Sequence, residues 1–358
     1  MEFTVDTLAL ISINYSAMEF KDTILYDWDS RLEEIANDAS DIVVLSDSNT
    51  SVHCLPIFKE RFKHEFKSIE IPSGESNKNL DTAKEVWKKM VSFNLDRNAL
   101  MLTLGGGVVT DLGGYCASVY KRGIDCVHIP TTLLSMVDAA IGGKNGIDFM
   151  HLKNYLGTIR LPKAVLIDPT WLYTLPEKET RSGAAEMIKA ALIYDLTLWR
   201  KFQQITNIQG FCDRELIQKS VAIKQEIVMR DPYEKGLRKT LNFGHTIGHA
   251  IESFYMKSSA PLTHGDAVAL GMLLETKYVS KYVDPSSGVY EEIRPFIEMH
   301  YPTLPKLNEE NIEQIIRYML GDKKNKGNVI LSVLLREIGS PTWDLELKPD
   351  EVKELLRH

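Results

Sequence analysis

Only four cysteines occur in 358 residues, and no two stand in a CxxC spacing. That excludes a zinc ribbon and a disulfide framework, and leaves Cys54, Cys116, Cys126 and Cys212 as reduced, buried thiols. No apolar run approaches the ~20 residues that a membrane span requires. The N-terminal stretch MEFTVDTLALISINYS carries acids where a secretory signal would need a basic segment. A cytoplasmic protein with no membrane association is expected. Positive charge is also scarce: 42 Lys and Arg against 49 Asp and Glu give a formal net charge of −7. A nucleic-acid binder would carry a basic face, so that class is set aside. A local group of cations can still oppose the global sign, so an anionic small molecule stays open as a ligand. Internal repeats and low-complexity segments are absent. What is present is ordinary for a globular protein with a sizeable core: 44% hydrophobic and 25% charged residues. The length makes two domains the natural expectation.

The first 40 residues are weakly patterned, with short strands expected at Thr4–Ile13 and Ala17–Leu25 and an amphipathic segment at Asp29–Ala39. Three apolar runs then lead into polar or glycine-rich loops. They are Ile42–Leu45 before SDSNT, Phe66–Ile71 before PSGESNKN, and Ala99–Leu104 before Gly105-Gly106-Gly107. Buried parallel strands present ligand-binding residues in this way, at the carboxyl edge of an α/β sheet. Leu80–Phe93 and the stretch after the glycines through Tyr120 read as helices, and Cys126–Pro130 and Val165–Asp168 as further strands. The GGG turn is a weak signal alone. It would let a pyrophosphate approach the backbone at a helix N-terminus, or simply supply a tight turn of positive φ. After Pro169 and Pro176 the apolar spacing becomes three and four. Helices are expected at Lys178–Ala191, Asp213–Val228, Leu241–Phe254, Asp266–Val283, Ser287–Glu298 and Asn308–Leu320, with one late strand at Val329–Leu335. The first half is therefore a largely parallel, doubly wound α/β sheet and the second half mainly helical.

The chemistry concentrates in Gly236–Glu252, GLRKTLNFGHTIGHAIE. His245 and His249 are four residues apart on one helix face. Lys235, Arg238, Lys239 and Asn242 precede them, and His264 follows in LTHGD. Taken alone, such a pair is more often two ordinary polar residues than a metal site. Further titratable residues lie in glycine-rich or Ala-rich settings: Asp138, Lys144, Lys153, Glu186, Lys189 and Lys224. Glu186 and Lys189 share a face of the apolar helix GAAEMIKAAL, where the plain alternative is a local ion pair worth a few tenths of a kcal/mol. Zinc takes N and O ligands and catalytic sites commonly keep three protein ligands. By spacing, these are Glu186 and His245 with either His249 or His264. The surplus of Lys and Arg suits a substrate bearing phosphate and carboxylate groups.

The ordered motifs GGGVVTDLGG, KRG, IPTTLLSMVDAAIGGKNGID, LKN, TLPEKE, GAAEMIKAALI, LRKTLNFGHTIGHAIE and THGDAVALGM resemble those of the 3-dehydroquinate synthases, a family of sugar phosphate cyclases. The resemblance covers about residues 40–335. It implies a Rossmann-like NAD-binding domain, placed here at residues 1–172, and a helical metal- and substrate-binding domain at 173–358, with the active site in the cleft between them. It also implies NAD and a Zn2+ or Co2+ ion as cofactors, a sugar phosphate substrate and a homodimer. The family converts 3-deoxy-D-arabino-heptulosonate 7-phosphate to 3-dehydroquinate and phosphate. Carried over by motif, Glu186, His245 and His264 would hold the metal. Lys144, Arg238 and Asn242 would address the substrate carboxylate. Asn154, Lys189, His249 and Lys323 or Lys324 would meet the phosphate, His249 also moving a proton, with Arg122 reaching in from the neighbouring subunit. Asp138, Lys153, Lys224 and Glu234 would line the substrate site. The NAD side would comprise Asp47, Asn49, Glu75, Lys78, Gly106, Gly107, Val108, Asp111, Thr131, Thr132 and Thr174.

Three places depart from the family pattern. Asp266 stands where Glu is usual, Asn145 where Thr or Leu is common, and Thr158–Pro162 lacks the aromatic-Gln-Pro. Sister cyclases that use carboxylate-free sugars alter the Arg–Asn part of LRxxLNFGH, whereas Arg238 and Asn242 are retained here. An aminodehydroquinate synthase would share these residues. A metal-dependent alcohol dehydrogenase would share the GGG turn and histidines but would not need the phosphate-binding lysines. A nucleotide-binding regulator with a decayed site would have no reason to keep charges in apolar helices.

Overall fold

Short apolar runs bounded by turn residues cannot be half-solvated, so they must be covered on both faces. The computed structural model, which describes residues 23–26, 30–150, 152–256, 258, 261–321 and 329–357, shows how. The strands are β1 (Ile24–Tyr26), β2 (Ile42–Asp47), β3 (Lys67–Ile71), β4 (Leu100–Gly105), β5 (Asp125–Pro130), β6 (Lys144–Phe149), β7 (Leu152–Ile159), β8 (Ala164–Ile167), β9 (Ile330–Leu335) and β10 (Pro341–Leu347). Six of them form one parallel sheet in the order β1-β8-β5-β4-β2-β3. The chain leaves β2 toward one edge to make β3, returns past β2 to β4, then proceeds through β5 toward the other edge. Connections therefore diverge between β2 and β4, the switch point where open α/β sheets bind ligands beyond their carboxyl ends. The expected strand at Thr4–Ile13 lies outside the described residues. Of Ala17–Leu25, only the end is described, and a strand runs there from Ile24.

Alternate strand residues feed two cores. Val43, Leu45, Ile69 and Met101 pack with Leu112 and Cys116 of α1 (Gly107–Val119) and with the Leu80–Ser92 helix. Val44, Leu102, Ile129 and Leu166 face the other way, onto Ala184, Ile188 and Leu192 of α2 (Glu177–Tyr194) and onto Val221 and Ile227 of α3 (Arg214–Arg230). The Leu55–Arg61 helix joins that second face through Phe58, so helices cover both sides of the sheet. A third cluster joins α4 (His245–Tyr255) and α5 (His264–Tyr278) to the Glu309–Leu320 helix and β9. Among the described residues, no helix is long and apolar enough to cross a membrane, and all four cysteines are free.

Four features differ from expectation. The second half holds a second strand, β10, antiparallel to β9, whose alternating Trp343, Leu345 and Leu347 are its signal. Residues 144–159, to which the sequence assigned no element, form the antiparallel hairpin β6–β7. The helix expected from Leu241 begins only at His245. Leu237–Asn242 is a separate 3-10 turn, and Gly244, at φ +78°, divides the two. A side chain at Gly244 would stand 2.5 Å from Met272 Cγ, so the break is enforced by packing as well as by backbone conformation. Arg238 and Asn242 therefore do not share the helix face of His245 and His249. The next helix begins at His264, two residues earlier than expected, because Thr263 and Asp266 close a capping box.

Candidate active site

The carboxyl edge of the sheet collects one group of expected residues. Asp47 ends β2 and Asn49 follows it, Glu75 and Lys78 follow β3, Gly106 to Asp111 follow β4, and Thr131 and Thr132 follow β5. Thr174 ends a 3-10 turn after β8 and is exposed. Asp47 caps the Ser48–His53 helix, accepting from the amides of Asn49 (3.0 Å) and Thr50 (2.8 Å). Lys78 lies 2.8 Å from Glu75 and 3.4 Å from Asp111. Burial raises Asp111 to about 6 although Lys78 pulls the other way; Lys78 is raised, its two acids outweighing its burial.

The GGG turn is not a positive-φ turn, since none of its glycines has positive φ. Each is constrained differently. A Cβ on Gly105 would stand 2.5 Å from Val109 Cγ2, and one on Gly106 would stand 3.0 Å from the Thr132 methyl. One on Gly107 would meet only Ala139 Cβ at 3.4 Å, an ordinary contact. Neither φ nor packing demands glycine at 107, which leaves close approach by a ligand as the physical reason. Gly106 caps α1 without a side-chain hydrogen bond, so the first amides of the helix are free of side-chain acceptors and suit an anion.

The second group is a buried cluster of charge. Asp138 lies in a π-helical turn, Ser135–Ala139, between β5 and β6. Lys224, from α3, donates to its carbonyl (2.7 Å) and pairs closely with its carboxylate. Lys189 stands 4.0 Å from Asp138 and pairs closely with Glu186. Burial opposes charge on each group. Lys189 is nevertheless raised by Glu186 and Asp138, and Glu186 is held well below the usual carboxylate range by Lys189 and His264. Lys224 ends below its ordinary value, because burial and Lys189 together exceed the pull of Asp138. Glu234 gathers Lys144, by a close ion pair, and Asn242, at 2.7 Å. Arg238 is 3% exposed, and its guanidinium is held by the carbonyls of Pro232 (2.7 Å) and Gly142 (3.2 Å). Among the described residues it forms no ion pair.

At the end of this cluster the histidines converge. His245 Nδ1 lies 3.0 Å from the carbonyl of Phe243, and His264 Nδ1 lies 3.4 Å from Glu252 Oε2. Both partners only accept, so both Nδ1 atoms carry a hydrogen, and in the neutral ring each Nε2 is left with a lone pair for a metal. Each Nε2 lies 3.4 Å from Glu186 Oε1. Ligand atoms of a tetrahedral site with bonds near 2.1 Å stand about 3.4 Å apart. Both Glu186 oxygens are buried; Oε2 is taken by the close pair with Lys189, whereas Oε1 faces the two histidines. Three inward-facing acceptors call for a cation at their centre. His264 stands between two carboxylates: burial lowers it, but Glu186 and Glu252 outweigh that and raise it to about 10, so a proton and a cation compete for its Nε2. The nitrogens of His245, His249 and His264 form a looser set, within 4.8 Å of one another.

Lys153 and Asn154 sit on β7. Lys153 reaches Glu252 at 2.7 Å, and the Asn154 amide donates to Asp148 at 2.8 Å. Arg122 is exposed in the turn after α1 and pairs with none of the described carboxylates, while Lys323 and Lys324 lie outside the described residues. Arg122, Asn154 and Glu234 all have positive φ, a strain of about 1 kcal/mol or more per residue that tends to collect at functional sites. Glu252 was not among the expected residues. Its position, seven residues after His245 and so on the same helix face, is the signal that could have found it. The departures from the family motifs have structural work: Asp266 caps α5 and accepts from Arg181 at 2.8 Å, and Asn145 donates to the carbonyls of Gly143 (3.1 Å) and Arg160 (3.0 Å).

Residues 68–182 match the family model of the 3-dehydroquinate synthase N-terminal region, and residues 183–325 that of the C-terminal region. A 3-dehydroquinate synthase from Parabacteroides distasonis is 34% identical, over 94% of this chain and 97% of that protein. Another, from Latilactobacillus sakei, is 40% identical over 76% of each chain. A solved 2-epi-5-epi-valiolone synthase from Streptomyces hygroscopicus, with NAD+ and Zn2+ bound, is similar at a TM-score of 0.79 and 28% identity, covering 93% of this chain and 95% of that one.

Proposed function

Because the chain belongs to the 3-dehydroquinate synthase family, we propose that it converts 3-deoxy-D-arabino-heptulosonate 7-phosphate to 3-dehydroquinate and phosphate in the cytoplasm. The observation that carries this reading is the meeting of Glu186 Oε1 with two histidine Nε2 atoms, each at 3.4 Å, beside buried cations. The domain boundary is drawn at 172/173. The two family models meet at 182/183, inside α2, whereas a boundary before that helix leaves it whole.

Glu186, His245 and His264 would hold a Zn2+ or Co2+ ion, and the carboxyl edge from Asp47 to Thr132, with Thr174, would hold NAD, its pyrophosphate at the start of α1. When bound, the metal supplies Lewis acidity toward a ring hydroxyl and NAD a reversible hydride acceptor, so the net reaction is redox-neutral. The chain's own residues do the positioning. Arg238, Asn242 and Lys144 address the substrate carboxylate. Arg238 favours this role because its buried guanidinium is held by carbonyls and feels Glu234, Asp138 and Asp231 only at a distance, which leaves it short of direct anionic contact until an anion arrives. Lys189, Asn154, His249 and Lys323 or Lys324 address the phosphate, and Arg122 would complete that site from the second subunit of a homodimer. An exposed arginine that pairs with no described carboxylate supports that role. His249 stands beside the metal set, with its ring 5.0 Å from that of His245, where it can move a proton as phosphate leaves. Asp138 holds Lys189 and Lys224, Glu234 holds Lys144 and Asn242, and Lys153 and Lys224 add their charge to the lining, so substrate charge meets a preorganised field instead of water. After phosphate departs, ring opening and intramolecular aldol closure form the carbocycle within the same enclosure.

The test is to compare His264→Ala with His249→Ala for bound metal and for turnover. His264→Ala is expected to purify without stoichiometric metal. His249→Ala should keep the metal and lose about 100-fold or more in rate, as for a general acid–base group. Equal metal loss in both variants contradicts the assignment.

A further inference from the structure

Glu252 lies on α4, yet its carboxylate joins three elements. Oε1 accepts from Lys153 Nζ of β7 at 2.7 Å, and Oε2 faces His264 Nδ1 of α5 at 3.4 Å. Its side chain is 10% exposed, so each contact is made largely out of water. We propose that Glu252 is a shared positioning residue, which orients His264 for metal ligation and holds Lys153 at the substrate edge of the metal site. This rests on the reading of His264 as a ligand.

The argument follows from donor and acceptor inventory. An imidazole can present either nitrogen, and a carboxylate at Nδ1 fixes both the tautomer and the ring plane, leaving Nε2 for the metal. His245 obtains the same service from the carbonyl of Phe243, a main-chain atom that no substitution removes. His264 depends on a side chain instead. A buried carboxylate with a single neutral partner would be poorly satisfied, and Lys153 supplies the matching charge. Lys153 belongs to a two-stranded hairpin that is otherwise separate from the main sheet, and through Glu252 it is tied to the element carrying His245 and His249. One side chain thereby ties the metal ligands to the strand that bears Lys153 and Asn154, while Lys144 of the same hairpin is tied separately to Glu234.

The test uses the full-length protein, stripped of metal by chelation and titrated with Co2+, with His264→Ala as the reference. Glu252→Gln is expected to raise the Co2+ dissociation constant about 10- to 100-fold while leaving NAD affinity unchanged. At saturating Co2+ it should also raise KM for the sugar phosphate about tenfold, because the amide no longer anchors Lys153. Lys153→Met should reproduce the KM change, and the double variant should show less than the product of the two effects. Glu252→Asp, which keeps the charge on a shorter arm, should recover part of the Co2+ affinity. Unchanged Co2+ affinity in Glu252→Gln, with His264→Ala losing Co2+, overturns the proposal. A normal KM at saturating Co2+ overturns the Lys153 half. Retention of Co2+ by His264→Ala would instead remove the ligand reading on which the proposal stands.

Discussion

Arg238 and Lys224 are both buried cations, but their surroundings give them different sensitivities. Arg238 is bound by carbonyls and keeps its charge at any accessible pH. Lys224 is pulled below its ordinary value by burial and by Lys189, with Asp138 restoring only part. A lysine with a lowered pKa is charged below that value and loses its charge as pH rises through it, earlier than a solvated lysine would. An anionic substrate then meets a weaker field, so kcat/KM should fall on the alkaline side. Lys224→Arg replaces it with a group that does not deprotonate, so the alkaline limb of the kcat/KM profile should move to higher pH. An unmoved limb would mean that another group sets it. The motif spacing made most of these residues legible, because Glu186 and Lys189 had no reason to be charged in an Ala-rich helix unless they met something. Their partners were not legible: the pairing of Lys224 with Asp138 spans 86 positions in sequence, and no local pattern records it.

Among the elements, α1 and its glycine turn carry the clearest separation of structure from binding. Gly105→Ala forces a methyl against Val109 and should cost about 1–3 kcal/mol of stability. Gly107→Ala meets only ordinary contacts and should change stability by no more than about 1 kcal/mol, yet raise the NAD dissociation constant tenfold or more, about 1.4 kcal/mol. Thermal unfolding and NAD titration of the two variants check this, and a Gly107→Ala protein with normal NAD affinity would remove the close-approach argument. The strands of the main sheet were legible because strands covered on both faces are continuously apolar. The β6–β7 hairpin was not, because β7 alternates only between exposed and half-buried positions and mixes Lys153, Asn154 and Tyr155 into its run. The turn Leu237–Asn242 was misread for a related reason. Leu237 and Leu241 keep a helical spacing, and only the left-handed backbone of Gly244 and its packing against Met272 show that the chain cannot continue as one helix.

For the molecule as a whole, one core runs from the sheet into the helical half, through Val44, Leu102 and Ile129 to Ile188, Phe211 and Phe296. Both halves therefore contribute rigid walls to the site: the carboxyl edge of the sheet on one side, and the histidines with Arg238 on the other. That arrangement suits a reaction in which hydride leaves and returns without the intermediate escaping. The most direct measurement is incubation with 3-deoxy-D-arabino-heptulosonate 7-phosphate, Zn2+ or Co2+, and NAD at a small fraction of the substrate concentration, following phosphate, 3-dehydroquinate and NADH absorbance together. The account predicts many equivalents of phosphate and 3-dehydroquinate per NAD, with no net NADH. Stoichiometric NADH without phosphate release would contradict it.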